Sequence, residues 1–168
     1  MNRRTVIAMG SNLGDRLEYL QGGLDGLFDT PRIVFVAVSP VYETAPVGGP
    51  EQPDYLNAVV IAETSMPAQA VLERCVSLED AFGRARGERW GPRTLDLDLI
   101  IYGDEVSNSP ALTLPHPRAH ERAFVLAPWH DADPQAELPR QGKVAGLLAA
   151  LGTEGITRLD GAVLHPPG

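Results

Sequence analysis

Two aspartates, Asp96 and Asp98, carry the clearest chemical signal in the sequence. They alternate with leucines, and alternation of this kind is typical of a β-strand with one buried face. Both carboxylates would then lie on the same face, about 6.6 Å apart, and at an effective dielectric constant of about 20 their repulsion is roughly 2.5 kcal/mol. A divalent cation would reverse this repulsion, because hard cations bind carboxylate oxygens. The alternative is a solvated strand face without a ligand.

A cluster of arginines precedes the two aspartates. Four of the fourteen basic residues of this acidic chain lie within ten positions of one another: Arg84, Arg86, Arg89 and Arg93. Arginine beside a metal-binding pair is typical of a polyphosphate site, because Mg²⁺ bridges some phosphate oxygens and guanidinium groups bind others. A solvated loop whose arginines pair with nearby acidic side chains is the alternative.

Trp90 lies inside this charged segment. An aromatic side chain there either anchors the segment in the core or covers a planar ligand, and the pattern leaves both open. Nucleotide-binding motifs of the P-loop and dinucleotide types do not occur in the sequence, nor do the common serine hydrolase and zinc protease motifs. His116 and His120 are four residues apart, but Pro117 disfavours one helix through both, which argues against a histidine metal site.

The apolar pattern predicts the elements that must position these residues. An apolar run at 6–9 ends at Gly10, and leucines then recur at helical spacing from Leu13 to Leu27. Segments rich in β-branched and aromatic residues, bounded by proline, predict strands at 33–39 and 55–62. The further predictions are a Pro- and Gly-rich loop at 43–54, a helix capped by Ser65 with an apolar face from Val71 to Phe82, and a strand at 94–102.

This order, β-α-β-β-α-β, predicts an α+β fold of the ferredoxin-like type, with two helices on one face of a four-stranded antiparallel sheet. The remainder predicts C-terminal additions: a hairpin near Val106 and Leu112, helices at 120–126 and 144–151, and a short strand near Ile156. A length of 168 residues favours a single domain over residues 1–168.

Composition narrows the classes of partner. With 22 acidic and 14 basic residues the net charge is -8, which argues against nucleic-acid binding by phosphate neutralisation. Apolar stretches such as 58–62 are far shorter than the roughly 20 residues that a membrane-spanning helix needs. The single cysteine, Cys75, excludes an internal disulfide and suits a reducing compartment, so we expect a cytoplasmic protein that does not bind membranes.

Several motifs together resemble one known family. They are Gly10-Ser11-Asn12-Leu13-Gly14-Asp15, Tyr42-Glu43-Thr44-Ala45-Pro46, Gln52-Pro53-Asp54-Tyr55-Leu56-Asn57, the run from Arg89 to Asp98 that reads RWGPRTLDLD, and Pro115-His116-Pro117-Arg118. The chain resembles the 6-hydroxymethyl-7,8-dihydropterin pyrophosphokinases of folate biosynthesis. The resemblance covers residues 6–129, in order, and residues after about 131 carry no motif.

The resemblance implies a reaction and a set of roles. The reaction is the transfer of pyrophosphate from ATP to the hydroxymethyl group of the pterin, with AMP released. We also expect a monomer, although the sequence itself does not determine the oligomeric state. Asp96 and Asp98 match the carboxylates that hold two Mg²⁺ ions. The other matching residues are Thr44 and Asn57 at the pterin edge, Tyr55 and Phe124 on its faces, Trp90 closing over the site, Arg84 and Arg93 at the phosphates, and Glu79, His116 and Arg122 on the nucleotide side.

Some roles keep an alternative. The alternative for Asn57 is a role in capping the sheet, and for Phe124 it is packing in the core. The alternative to Arg84 as the first loop-closing arginine is Arg86. Two other classes of protein also fit part of the pattern. A palm-like nucleotidyl transferase uses paired aspartates on a similar sheet, and a small-molecule-binding regulatory domain would leave Asp96 and Asp98 solvated.

Overall fold

The computed structural model describes residues 2–45, 51–83 and 94–167. In these ranges the main sheet contains β1 (Arg3–Ser11), β2 (Ile33–Val38), β3 (Val41–Thr44), β4 (Tyr55–Thr64), β5 (Asp96–Tyr102) and β10 (Ile156–Leu159). Two small hairpins consist of β6 (Ser107–Ser109) with β7 (Leu112–Leu114), and β8 (Glu137–Leu138) with β9 (Gly142–Lys143). The helices are α1 (Arg16–Phe28), α2 (Ala68–Ala81), α3 (Ala123–Ala132) and α4 (Val144–Leu151), with a short 3₁₀ turn at Ala119–Glu121.

The main sheet is antiparallel and has β1 near its centre. The strand order is β10-β3-β4-β1-β5, and β2 pairs with the second half of β4. β1 pairs along its whole length with β4 on one side, and from Thr5 to Gly10 with β5 on the other. This position explains the apolar composition of β1, because a strand with two neighbours and two covered faces has little contact with solvent.

One face of the sheet is covered by α1 and α2. Alternate strand residues point to opposite faces, and Ile7 and Met9 of β1 point to this one, where they share a core with Leu20 and Leu24 of α1 and with Cys75 of α2. Helix α1 begins after Asp15, whose carboxylate accepts a hydrogen bond from the backbone N–H of Glu18 at 3.3 Å. A side-chain cap of this kind satisfies one of the free N–H groups at a helix start.

The opposite face is covered by α3 and α4. Val6 and Val59 point to this side and share a second core with Leu126 and Trp129 of α3 and Val144 of α4. The C-terminal part of the chain therefore builds a complete second layer on the sheet. The start of α3 lies near β5, because Arg122, which precedes the helix, pairs with Asp98 of β5.

The structure confirms the predicted strands and helices of the core, with small differences in their bounds. Helices α1 and α2 cover one face, as predicted, and the C-terminal helices α3 and α4 cover the other. Two details were wrong. The predicted loop at 43–54 begins inside β3, which pairs with β4 through Thr44 and Tyr55. Ser65 does not cap α2; its hydroxyl accepts a hydrogen bond from Arg32. Within the described ranges no helix is both long and apolar enough to cross a membrane.

Candidate active site

Residues of four neighbouring strands form one row across the sheet. Asp96 of β5 lies opposite Gly10 of β1, and Gly10 lies opposite Asn57 of β4. Asn57 in turn lies opposite Tyr42 of β3. Residues paired across an antiparallel sheet point to the same face, so this row brings a carboxylate and a carboxamide to one surface.

The predicted alternation along β5 is confirmed. Leu95, Leu97 and Leu99 are buried in the core beneath α1 and α2. Asp96 and Asp98 are half-buried on the other face of the strand. The two carboxylates therefore lie on the side of α3, next to the N-terminal end of that helix.

Arg122 stands at the start of α3 and pairs with Asp98. Its Nη1 atom lies 4.0 Å from Oδ2 of Asp98, and its guanidinium carbon lies 5.5 Å from the centroid of the Phe124 ring. A guanidinium group over an aromatic face is a favourable cation–π arrangement. One end of α3 thus brings a positive charge and an aromatic ring to the carboxylates.

His116 lies on the other side of β5. Its backbone N–H donates to the carbonyl of Ile100 at 2.8 Å, which holds the segment after β7 against the strand. Burial, and then the positive charge of Arg122, lower the pKa of His116 to about 4, although the carboxylate of Asp96 acts in the opposite direction. His116 is therefore a neutral imidazole at neutral pH, able to donate or accept a hydrogen bond.

Thr44 of β3 and Asn57 of β4 form a hydrogen-bonding pair on the side of the row away from Asp96. Nδ2 of Asn57 donates to the hydroxyl of Thr44 at 2.7 Å, and the two residues are only 6% and 5% exposed. Tyr55 lies opposite Thr44 and shares its face. A carboxamide with one N–H already bonded keeps a second N–H and its oxygen available for a polar planar ligand.

Glu79 of α2 bonds to the backbone of β5. It is 3% exposed, and its Oε2 atom accepts a hydrogen bond from the backbone N–H of Leu97 at 2.8 Å. Leu97 stands between the two aspartates. The structure thus connects Glu79 to the strand that carries the carboxylates.

Three predicted site residues, Arg84, Trp90 and Arg93, lie outside the described residues. The described residues on either side of this segment are close together, because the Thr94 hydroxyl donates to the carbonyl of Phe82 at 2.7 Å. The other predicted site residues form two groups on one face or edge of the sheet. The first contains Thr44, Tyr55 and Asn57, and the second contains Glu79, Asp96, Asp98, His116, Arg122 and Phe124.

Three contacts beside these groups were not predicted from the sequence. Tyr42 donates a short hydrogen bond from its hydroxyl to Asp131 near the end of α3, and Arg158 of β10 pairs with the same carboxylate at 3.7 Å. Arg16 of α1 pairs with Glu43 at 2.7 Å. Tyr42 and Glu43 belong to a motif quoted above, but their partners are distant in the sequence and no local pattern indicates them.

The carboxylate pair of β5 thus lies beside a cationic and an imidazole group. Asp96 also shares a row of the sheet with Asn57, whose carboxamide bonds the Thr44 hydroxyl. Residues 6–134 match the 7,8-dihydro-6-hydroxymethylpterin-pyrophosphokinase (HPPK) family. The chain belongs to this family.

Curated relatives agree with this assignment. A 2-amino-4-hydroxy-6-hydroxymethyldihydropteridine pyrophosphokinase of Pseudomonas aeruginosa is 41% identical over 162 residues, covering 96% of this chain and 100% of the relative. The enzyme of the same name from Mycobacterium leprae is 51% identical over 151 residues, covering 83% of this chain and 77% of the relative.

Solved structures share the fold at low identity. A crystal structure of HPPK-DHPS in complex with substrates has a TM-score of 0.75 at 10% identity, covering 99% of this chain and 47% of that one. Plasmodium falciparum HPPK-DHPS with pteroate has a TM-score of 0.72 at 10% identity, covering 94% and 48%. The chain spans about half the length of these solved proteins, and at such identities the likeness is one of fold alone.

Proposed function

We propose that this chain catalyses the Mg²⁺-dependent transfer of pyrophosphate from ATP to 6-hydroxymethyl-7,8-dihydropterin, giving AMP and the pterin diphosphate in folate biosynthesis. The observation that carries the proposal is the row in which Asp96 and Asn57 flank Gly10. Neighbouring strands are about 4.8 Å apart, so a planar substrate bonded to Asn57 extends over Gly10 toward the carboxylates. Its hydroxymethyl group then reaches the place where a polyphosphate is held.

Asp96 and Asp98 would hold the two Mg²⁺ ions. Their residue types fit, because Mg²⁺ binds one or two protein carboxylates and completes its coordination with water and substrate phosphates. Within the described part of the chain no group of three or more His, Cys, Asp or Glu side chains could hold an ion, and the proposed sites use two carboxylates with the phosphates of ATP. When bound, the ions neutralise the triphosphate and orient its β-phosphorus.

The pterin would be read by the buried pair and stacked between rings. Asn57 offers its carboxamide oxygen and second N–H to the amide and amino edge of the pterin, and Thr44 holds the carboxamide in place. Tyr55 and Phe124 provide the faces. This division suits a flat heterocycle whose edge alternates donors and acceptors.

The remaining groups would act on the ATP side. Arg122 lies within reach of Asp98 and of an approaching phosphate, and neutral His116 donates a hydrogen bond there without adding charge. Glu79 steadies the strand between the aspartates. For Arg84, Arg93 and Trp90, the proposed roles at the phosphates and in covering the site rest on the family resemblance.

Three broader assignments belong to the same proposal. The pairing order β5-β1-β4-β2, with α1 and α2 as the crossover helices, supports a ferredoxin-like core inside the larger sheet. We also propose that residues 1–168 act as one domain and as a monomer. A cytoplasmic location rests on the single cysteine and the family's substrates.

The deciding experiment supplies ATP, Mg²⁺ and hydroxymethyldihydropterin and identifies the nucleotide released. We expect AMP, formed only when the pterin is present, and no AMP after chelation of the metal. ADP as the product, or turnover without pterin, would contradict the proposal and favour another nucleotide-using enzyme. Absence of any turnover together with pterin binding would favour a regulatory domain.

A further inference from the structure

Gly10 occupies a position in the row where a side chain would disturb its neighbours. A Cβ atom built on Gly10 would lie 3.1 Å from Oδ1 of Asn57 and 3.4 Å from Cδ1 of the Tyr55 ring. The next nearest atom is the carbonyl oxygen of Leu56 at 3.8 Å. The crowding is therefore directed toward β4 and its pterin-side residues, and not toward Asp96.

Asn57 has little freedom to move away from such a side chain. Its Nδ2 atom donates to Thr44 at 2.7 Å, and the residue is 6% exposed. A contact of 3.1 Å forces a shift of a few tenths of an ångström, and such a shift turns Oδ1 and stretches the bond to Thr44. Hydrogen bonds weaken quickly when distance and angle depart from their optimum.

The backbone offers no reason for glycine at this position. Gly10 is part of a regular strand paired on both sides and does not have a positive φ. Glycine weakens a strand relative to residues with a side chain, and inside a strand it often marks a close approach of a ligand or another group. Space beside Asn57 is thus the feature that glycine supplies.

We propose that Gly10 is a positioning residue for the pterin: the absence of a side chain keeps the carboxamide oxygen of Asn57 and the Tyr55 ring where the planar substrate binds them. This inference rests on the proposed function and extends it to a residue that does not itself bond the substrate. It predicts an effect on pterin affinity that is separate from ATP affinity.

The test is a double-mutant cycle on Gly10 and Asn57, with Gly146→Ala as the matched control. Gly146 lies in α4, and a Cβ there meets nothing within 4 Å. Calorimetric titration with 6-hydroxymethyl-7,8-dihydropterin, and separately with Mg²⁺ and a non-hydrolysable ATP analogue, measures both affinities. Pterin-dependent AMP formation by the wild-type protein checks the proposed function independently of Gly10.

We expect Gly10→Ala to weaken pterin binding about 10-fold or more, since a misplaced partner leaves polar groups of the ligand unpaired. Binding of the ATP analogue should stay within about twofold, and Gly146→Ala should change neither affinity. In an Asn57→Ala background the further effect of Gly10→Ala should fall to within about twofold, because residues that act through one another are not additive.

Unchanged pterin affinity in Gly10→Ala would overturn the proposal, as would an equal loss of ATP analogue affinity or additive effects in the cycle. If Gly10→Ala alone does not fold, the double variant decides. Folding of the double variant with the pterin affinity of Asn57→Ala supports the crowding of Asn57. Failure of the double variant to fold makes Gly10 a purely structural residue and rejects its role in pterin binding.

Discussion

The ion pair between Arg122 and Asp98 is long and only partly buried. The two charged atoms are 4.0 Å apart, and the side chains are 24% and 35% exposed. Exposed ion pairs contribute only about 0–1 kcal/mol, and this partly exposed pair is at the long limit of an ion pair, 4.0 Å. In the proposed complex we therefore expect Arg122 to leave Asp98 for a phosphate when a metal ion binds the carboxylate.

Asp96→Asn and Asp98→Asn should each abolish most turnover while preserving the fold. Asparagine keeps the shape but removes the charge that we propose binds Mg²⁺, and loss of several kcal/mol of transition-state stabilisation reduces the rate by about 100-fold or more. AMP formation at saturating Mg²⁺ measures activity, and thermal unfolding measures stability, which should not fall because carboxylate repulsion is relieved. Asp104→Asn is the control, since that side chain is 98% exposed. Near-normal turnover in either site variant would reject the metal assignment.

Asn57→Ala should weaken pterin binding by about 10- to 100-fold and leave ATP binding nearly unchanged. The loss of one partner leaves ligand atoms desolvated without a hydrogen bond, at roughly 1–3 kcal/mol. Separate calorimetric titrations compare the two ligands. An equally large loss of ATP affinity would mean that Asn57 maintains the sheet and does not read the pterin.

Among the elements, β5 is stabilised by a side chain as well as by its neighbouring strand. It is at one end of the strand order, and Glu79 of α2 bonds the N–H of Leu97 from the helix side. Glu79→Ala should lower the free energy of unfolding by about 1–3 kcal/mol, because a buried N–H loses its partner. Glu79→Gln keeps an acceptor oxygen and should lose less. Urea unfolding compares them, and equal losses in the two variants would show that this hydrogen bond is not the cause.

The hydrogen bond from Tyr42 of β3 to Asp131 of α3 should delay the ionisation of Tyr42 to high pH. Burial, and then the hydrogen bond and charge of Asp131, raise the pKa of Tyr42 to about 12, against the opposing effect of Arg158. The folded-state pKa exceeds the ordinary value of 10, so the stability contribution is complete below pH 10 and is lost as pH rises toward 12. In a pH titration, phenolate absorbance should show a step near pH 12. The Tyr42→Phe variant should lack this step, and the Asp131→Asn variant should show it at lower pH. A late step that persists in Tyr42→Phe would assign it to another tyrosine.

Elements with a strong internal pattern could be predicted from the sequence, and those defined by distant partners could not. The leucine alternation around Asp96 and Asp98 indicates both the strand and the shared face of the carboxylates. In contrast, β3 has four residues and acquires its identity by pairing with β4 and β10. The row from Asp96 to Asn57 depends on the register of three strands, which tertiary packing determines.

At the scale of the whole molecule, one sheet separates two apolar cores, and the two layers should unfold together because β1 and β4 contribute to both. Cooperative unfolding is typical of a chain of this size with a shared sheet. Cys75 lies in the core under α1 and α2 and is fully buried. Its thiol is therefore a natural reporter of opening on that side.

Alkylation of Cys75 should proceed only through unfolding. Burial, followed by the negative charges of Glu79 and Asp98, raises the pKa of Cys75 to about 12 against the effect of Arg74, so at pH 8 the folded protein presents almost no thiolate, the reactive form. We expect iodoacetamide labelling in increasing urea to give the same midpoint and slope as circular dichroism. The control is Cys75→Ala with Val76→Cys, because Val76 is 41% exposed and a thiol there should react rapidly in the folded state. Rapid labelling of Cys75 without urea, or a slope much smaller than that of global unfolding, would show that the layer of α1 and α2 opens independently of the rest.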